Sequence, residues 1–278
     1  MLNKQTKKHR LLVVMAHPDD ESFGPGGTIA KYSKMGVETY LLTATKGESG
    51  NIHPDIQDEF AGDLGEWRSE ELQRAAKILG IKEMKFLGFN DGTLCQNFMN
   101  DLTKNIITEI IRIKPQVIIT FEPLGISKHL DHIAISHATT LAFYYAGNKE
   151  YLKENNISGK PHQALKLLYY VIPQSYLDKL QLEFRSGYPD EKITTVVDIR
   201  KEFSTKIAAL KCHQSQKKDW ERFLKRQEKV DLRYEFYHRA ESFINDYDHH
   251  ETDIFEGIDN KSRYQKNRIK EFDNFTLK

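Results

Sequence analysis

Cysteine is almost missing from this chain: Cys95 and Cys212 are the only two, and no paired spacing surrounds either. A disulfide framework and a cysteine metal clip are therefore both excluded, and a reducing cytoplasm is the expected setting. Charge of one sign is lacking as well. The 278 residues carry 41 basic and 40 acidic side chains, so the electrostatic footprint of a nucleic-acid binder is absent. Apolar runs such as LLVVMA reach about six residues, against the roughly 20 needed to cross a bilayer, and no membrane partner is expected. The same run is too short for a signal peptide, although basic residues precede it. Finally, no Gly-x-Gly-x-x-Gly follows the first apolar run. Pro25-Gly26-Gly27 comes after an acidic turn and would meet a phosphate with carboxylates, which argues against a dinucleotide site.

What is present is an alternation. Residues 11–16 read as a buried strand, 26–35 as a short helix, and 37–45 as a second strand. A polar loop runs through Gly65. Residues 66–80 place Leu72, Ala75, Ala76 and Leu79 on one helical face before a terminal glycine. A short strand at 84–87 precedes a helix over 98–114, where Leu102, Ile106, Ile110 and Ile113 share a face. Pro115 ends it, and 116–121 is a fourth buried strand. This rhythm predicts an α/β fold whose mostly parallel sheet is covered on both faces. In the common doubly wound order the first and fourth strands are neighbours, and the crevice lies outside their carboxyl ends. Later strands are expected at 167–172 and 193–199, with a helix over 201–212. Residues 217–278 read as a charged helical appendage on a single domain spanning 1–278.

The chemistry sits in two runs that leave the first and fourth strands, AHPDDE (16–21) and HLDH (129–132). His17 and Asp20, three residues apart around the stiffening Pro18, can turn toward one ion, with His132 as third ligand. Asp19 is then free to act as general base. His129 stands beside the ion as an imidazole donor to an oxyanion, and Asp131 orients a histidine. Each run also has a plainer reading. Alone, AHPDDE reads as the opening of a helix with carboxylates at its N-terminus. Alone, HLDH reads as a solvated helix start in which His129 and His132 share a face and Asp131 points away. Convergence of both runs at one rim favours the metal site, and with it amide hydrolysis by water activated on one zinc ion per chain. His53-Pro54-Asp55, without a preceding strand, reads as a surface loop, and His249-His250 as solvated.

Taken together, AHPDDE, the KGESG loop (46–50), the helix at 68–80, Asp91-Gly92, HLDH and His213-x-Ser215-Gln216 resemble the PIG-L/LmbE-like zinc N-deacetylases over roughly residues 10–216. The resemblance implies a Rossmann-like three-layer sandwich carrying a C-terminal helical extension, and removal of acetyl from an N-acetylglucosamine-type amino sugar. It makes His17, Asp20 and His132 the zinc ligands, Asp19 the base, and His129 the acid or electrophile with Asp131 behind it. Glu48, Arg68 and Asp91 match positions that hydrogen-bond the sugar in relatives. One departure concerns the second motif: many relatives carry Gly-His-Pro-Asp-His where this chain has Lys128-His129-Leu130-Asp131-His132. Two rival readings remain at this level, an amidase acting on another acyl group or a thiol-sugar conjugate, and a non-catalytic sugar- or nucleotide-binding module. A homo-oligomer is left open.

Overall fold

Strand β1 (Arg10–Met15) is buried from Leu11 to Met15, as a continuous apolar run with neighbours on both faces requires. In the computed structural model, which describes residues 8–52, 57, 62–96, 98–182, 187–244 and 250–258, it is an interior strand, third in order, of a seven-stranded sheet. The turn after it forms α1 (Asp20–Phe23) and α2 (Gly26–Lys34). Then follow β2 (Glu38–Thr43), α3 (Leu64–Leu79), β3 (Glu83–Phe86), α4 (Thr103–Ile113) and β4 (Val117–Phe121). A single π-helical turn over Phe98–Leu102 leads into α4, and Leu102, Ile106, Ile110 and Ile113 face the core as their spacing predicts.

After β4 come α5 (Gly125–Lys128), α6 (Leu130–Tyr145), α7 (Lys149–Glu154), β5 (Lys166–Val171), α8 (Gln174–Leu180), β6 (Thr195–Asp198), α9 (Phe203–Leu210), α10 (Lys217–Lys225) and β7 (Tyr234–Ser242). The strand order is β3-β2-β1-β4-β5-β7-β6. β1 pairs in parallel with both β2 and β4, with Leu11 opposite Val117 and Val13 opposite Ile119. The expected adjacency of first and fourth strands is therefore present, and the crevice opens where the chain leaves them. Helices α2, α3 and α9 pack together as one layer, and α4 with α6 as the other.

The helical reading of the C-terminal segment is corrected here. Residues 217–225 are helical, but Tyr234–Ser242 is a nine-residue strand that pairs antiparallel with β5 and β6. Its sequence, YEFYHRAES, has the aromatic content that suits a strand. Glu235 takes one of the buried positions, so the usual apolar-in, polar-out alternation is broken. That carboxylate accepts from Gly27 N and Thr28 N at 2.8 and 2.7 Å and from Lys206 Nζ at 2.6 Å. The start of α2, where a nucleotide phosphate would sit in other doubly wound folds, is filled by the protein's own side chain.

His53, Pro54, Asp55 and His249 lie outside the described residues, and His250 is exposed. No helix among the described residues is long and apolar enough to cross a membrane.

Candidate active site

The turn after β1 is wound tightly by its own carboxylates. Asp20 closes back on the chain, its Oδ2 accepting from His17 N at 2.8 Å. Asp19 adopts φ 107, a left-handed conformation that a non-glycine residue holds only when its surroundings enforce it. Glu21 enforces it: fully buried, it accepts from Asp19 N at 3.0 Å and from His213 Nε2 at 2.9 Å.

On the facing side, β4 ends at Phe121, whose ring stacks on His132 with centroids 4.2 Å apart. The loop beyond it is strained. Gly125, Ile126 and Lys128 have φ of 69, 58 and 62, and a Cβ at Gly125 would stand 2.7 Å from His132 Cβ. The Glu122 carboxylate holds this loop by accepting from Leu124 N and Ile126 N, each at 2.6 Å. The altered second motif keeps a backbone that its relatives' residues would also suit. Lys128 occupies a left-handed position that glycine adopts without strain, and Leu130 is the first residue of α6, where proline is favoured.

These two segments bring His17, Asp20 and His132 together. His17 Nδ1 lies 3.3 Å from His132 Nε2 and 3.6 Å from Asp20 Oδ2, and His132 Nε2 lies 3.3 Å from Asp20 Oδ1. Donors about 2.0–2.1 Å from one tetrahedral ion stand about 3.3–3.4 Å apart, so the three groups are spaced to share one. The hydrogen bonds also fix which nitrogens are free. His132 Nδ1 is 3.1 Å from Gly125 O, which can only accept, so Nδ1 carries the proton and Nε2 its lone pair. His17 Nε2 lies 3.0 Å from Asp91 Oδ1 and 3.2 Å from Asp131 Oδ2, which leaves Nδ1 as the free nitrogen. His17 Nδ1 and His132 Nε2 thus point at the same spot, where either the second proton of His17 or a metal ion can lie between them.

Two further groups among the described residues keep their ligand atoms within 4.8 Å of one another: His17, His129 and His132, and His17, Asp91 and Asp131. The second is already committed to backbone donors. Asp131 accepts from Gly92 N at 2.7 Å and Leu94 N at 3.0 Å, and Asp91 from Ser49 N at 3.0 Å. Both carboxylates also lie against His17 Nε2, where they fix the orientation of its ring.

Burial alone would lower the His17 pKa, but hydrogen bonds to the Asp131, Asp20 and Asp91 carboxylates outweigh it and raise it well above 6.5, so a metal ion at Nδ1 would bind in exchange for a proton. Burial pushes the Asp20 carboxyl up, yet His132 and His17 together hold it well below the usual range. Asp19 goes the other way. Burial raises its pKa to about 7, Arg68 opposes the rise, and Asp20 adds to it.

The remaining predicted residues are placed as follows. His129 is the N-cap of α6, and its Nδ1 accepts from Asp131 N at 3.2 Å, so a neutral ring presents Nε2–H to the cleft. Asp131 does not point away, as a helix beginning at His129 would have required. Because His129 caps the helix from outside, Asp131 turns inward, is fully buried, and lies against His17. Arg68 is buried, donating to Gly47 O at 2.9 Å, Pro18 O at 2.6 Å and Asp19 Oδ2 at 3.2 Å. Gly47, at φ 68, passes so close that any Cβ would strike the guanidinium, which accounts for that glycine of the KGESG loop. Asp91 lines the cleft. Glu48 is exposed and accepts from Asp91 N at 2.8 Å, tying the two loops together.

Sequence reasoning missed the roles of Glu21, Phe121, Glu122 and Gly125. Of these, only the third acidic residue of AHPDDE offered a signal. All the residues predicted from sequence except Asp131 and Glu48 line one cleft of about 1040 Å³.

Fold and site together define an α/β protein whose switch-point crevice carries a His/Asp cluster able to hold a metal. The chain belongs to the PIG-L family, described as GlcNAc-PI de-N-acetylase, which matches residues 12–143. It is 33% identical to a 1D-myo-inositol 2-acetamido-2-deoxy-alpha-D-glucopyranoside deacetylase of Thermomonospora curvata, over 74% of this chain and 80% of the relative. Among solved structures, an N,N'-diacetylchitobiose deacetylase from Pyrococcus horikoshii superposes with a TM-score of 0.64 at 23% identity, covering 82% of each chain. A 4-carboxy-2-hydroxymuconate hydratase from Pseudomonas putida superposes with a TM-score of 0.62 at 21% identity, covering 86% of this chain and 98% of the other. The fold alone therefore does not choose the reaction; the residues in the crevice must.

Proposed function

We propose that this chain is a zinc-dependent N-deacetylase that hydrolyses the acetamide of an N-acetylglucosamine-type substrate to the free amine and acetate. The observation that carries the reading is the convergence of His17 Nδ1, His132 Nε2 and the Asp20 carboxylate, with both ring tautomers fixed by other partners. Their chemistry, two imidazoles and one carboxylate, suits zinc, which would displace the second His17 proton and when bound supplies Lewis-acid polarisation and a nucleophile at neutral pH. One ion per chain is expected.

The chain's own residues do the rest. Asp19 accepts the proton of the attacking water, a task suited to a carboxylate whose pKa is raised to about 7. Arg68 fixes one oxygen of that carboxylate while its other bonds hold the turn. His129 Nε2–H donates to the oxygen that gains charge as the acyl carbon becomes tetrahedral, worth about 3–4 kcal/mol for a well-placed donor. Asp131 and Asp91 hold His17 through Nε2. Arg68 and Asp91 also line the cleft where sugar hydroxyls would lie, and Glu48 supports Asp91 from behind.

The partner is a small amino-sugar derivative; the near-zero net charge does not favour nucleic acid. The two free cysteines accord with a cytoplasmic setting. The test is acetate release from N-acetylglucosamine, its glycosides and chitobiose by zinc-loaded protein, with and without a chelator. Zinc-dependent acetate release is the expected result. Release of a longer acid from an N-acyl analogue or a thiol-sugar conjugate, with no acetate, would replace this reading with the broader amidase. Turnover that survives complete metal removal would contradict it.

A further inference from the structure

A second cavity, of about 380 Å³, lies between α6, β5, β7 and the chain at 187–189, and shares no lining residue with the catalytic cleft. Side chains alternate along β5, so Tyr170 faces the cleft and Tyr169 the second cavity. On β7, His238 pairs directly opposite Tyr169 and stands on the same side, with ring centroids 6.4 Å apart. The Tyr188 ring comes within 5.2 Å of His238. Simple alternation would send Glu241, three residues beyond His238, to the opposite face. The register of β5 on β7 shifts instead between Leu167 and Leu168. Leu168 is opposite Arg239 and Leu167 opposite Glu241, so Ala240 is an extra residue. This bulge turns Glu241 into the cavity, as bulges beside functional sites do.

The walls offer a ligand negative charge and ring faces. Glu122 is buried and accepts from Leu124 N and Ile126 N, and Glu241 accepts from the Tyr144 hydroxyl. No lysine or arginine among the described residues lines the cavity. His238 Nδ1 lies 2.8 Å from Lys192 O, which can only accept, so Nδ1 donates and the neutral ring keeps its lone pair at Nε2. Burial raises the Tyr169 and Tyr188 pKa values, and the Glu122 charge adds to both, so these rings stay neutral phenols. An anion would meet two carboxylates with no cation to receive it. A hard metal ion takes a shell of six to eight oxygens, whereas much of this wall is ring carbon. An organic ammonium ion satisfies both parts of the wall, with its charge at the carboxylates and its CH groups on the rings.

We propose that this cavity is a binding site for an organic ammonium ion, separate from the hydrolytic centre. The site does not depend on the deacetylase reading. Its volume lies within the range of small-molecule pockets.

The test is titration calorimetry on the full chain with three probes: choline, its neutral isostere 3,3-dimethyl-1-butanol, and propylammonium. The better of the two cations should bind with a Kd at least tenfold below that of the neutral isostere. Tighter choline supports recognition by the rings, and tighter propylammonium supports recognition by the carboxylates and His238. Glu241→Gln keeps an acceptor for Tyr144 and removes the charge; it should weaken the cation about tenfold and leave the isostere unchanged. Tyr188→Leu should weaken the cation several-fold.

Equal Kd values for cation and isostere, or binding of none of the three, would overturn the site, and this wild-type comparison holds whether or not the variants fold. Cation binding that both folded variants retain at full strength would place the ion in the acidic cleft and overturn the proposal as well. None of these outcomes involves acetate release, so the deacetylase reading stands or falls separately.

Discussion

Two clusters of buried charge flank the turn after β1, and they follow opposite rules. In the sealed cluster, Glu235 receives Gly27 N, Thr28 N and Lys206 Nζ, and Lys206 donates again to Gly24 O at 2.6 Å. The Tyr237 hydroxyl completes it, 3.2 Å from Glu235 and 2.7 Å from Thr28 Oγ1. Its charges are paired within the protein. In the open cluster, His17 Nδ1 and His132 Nε2 face each other beside Asp20, and the far nitrogen of each ring is engaged elsewhere. Buried polar groups are normally satisfied, so the first arrangement reads as architecture and the second as a set of donors spaced for a cation. The contrast is between charge that holds the fold and charge arranged for a ligand.

Substitutions in the two clusters should therefore separate cleanly. The largest effect is expected in the open cluster. His17→Ala should lose both zinc and turnover, whereas Asp19→Asn should keep zinc and lose about 10²–10⁴ in kcat, as removal of a general base does. Metal analysis of both variants beside their acetate-release rates checks this; an Asp19→Asn enzyme at the wild-type rate would remove the base assignment.

The sealed cluster should respond in stability. Glu235→Gln leaves Lys206 buried without its counter-charge and should cost about 3–5 kcal/mol in urea denaturation, while the folded protein still binds zinc. A Glu235→Gln protein with wild-type stability but lowered zinc affinity would blur the distinction between the clusters. The smallest effect belongs to the strained loop. Lys128→Gly relieves a left-handed backbone penalty of about 1–2 kcal/mol. Part of that gain is offset by the greater freedom of the unfolded chain, so a net stabilisation of about 1 kcal/mol or less is expected in the same titration.

The same contrast explains what the sequence could convey. The open cluster was legible because each of its runs follows a continuous apolar strand, and two buried parallel strands bring their ends to one edge. That ground brings the two runs to one edge, while the choice of His17, Asp20 and His132 within them also needed their spacing and the family resemblance. The sealed cluster was hidden, because a glutamate at a buried position of β7 breaks the alternation by which a strand is recognised. Its satisfaction comes from residues more than two hundred positions earlier and from Lys206, links that no local pattern carries. The inward turn of Asp131 escaped for a smaller reason, the position of the cap at His129. Nothing in an isoleucine or a lysine announces a positive φ, so the shape of the loop from Gly125 to Lys128 had to come from the structure.

Zinc K-edge X-ray absorption on the purified, zinc-loaded protein, paired with metal quantitation, bears most directly on the open cluster. One zinc per chain is predicted, with two imidazoles and oxygen donors at about 2.0–2.1 Å, and His17→Ala should retain no zinc. A protein that takes up no zinc, or holds it without histidine, would contradict the account.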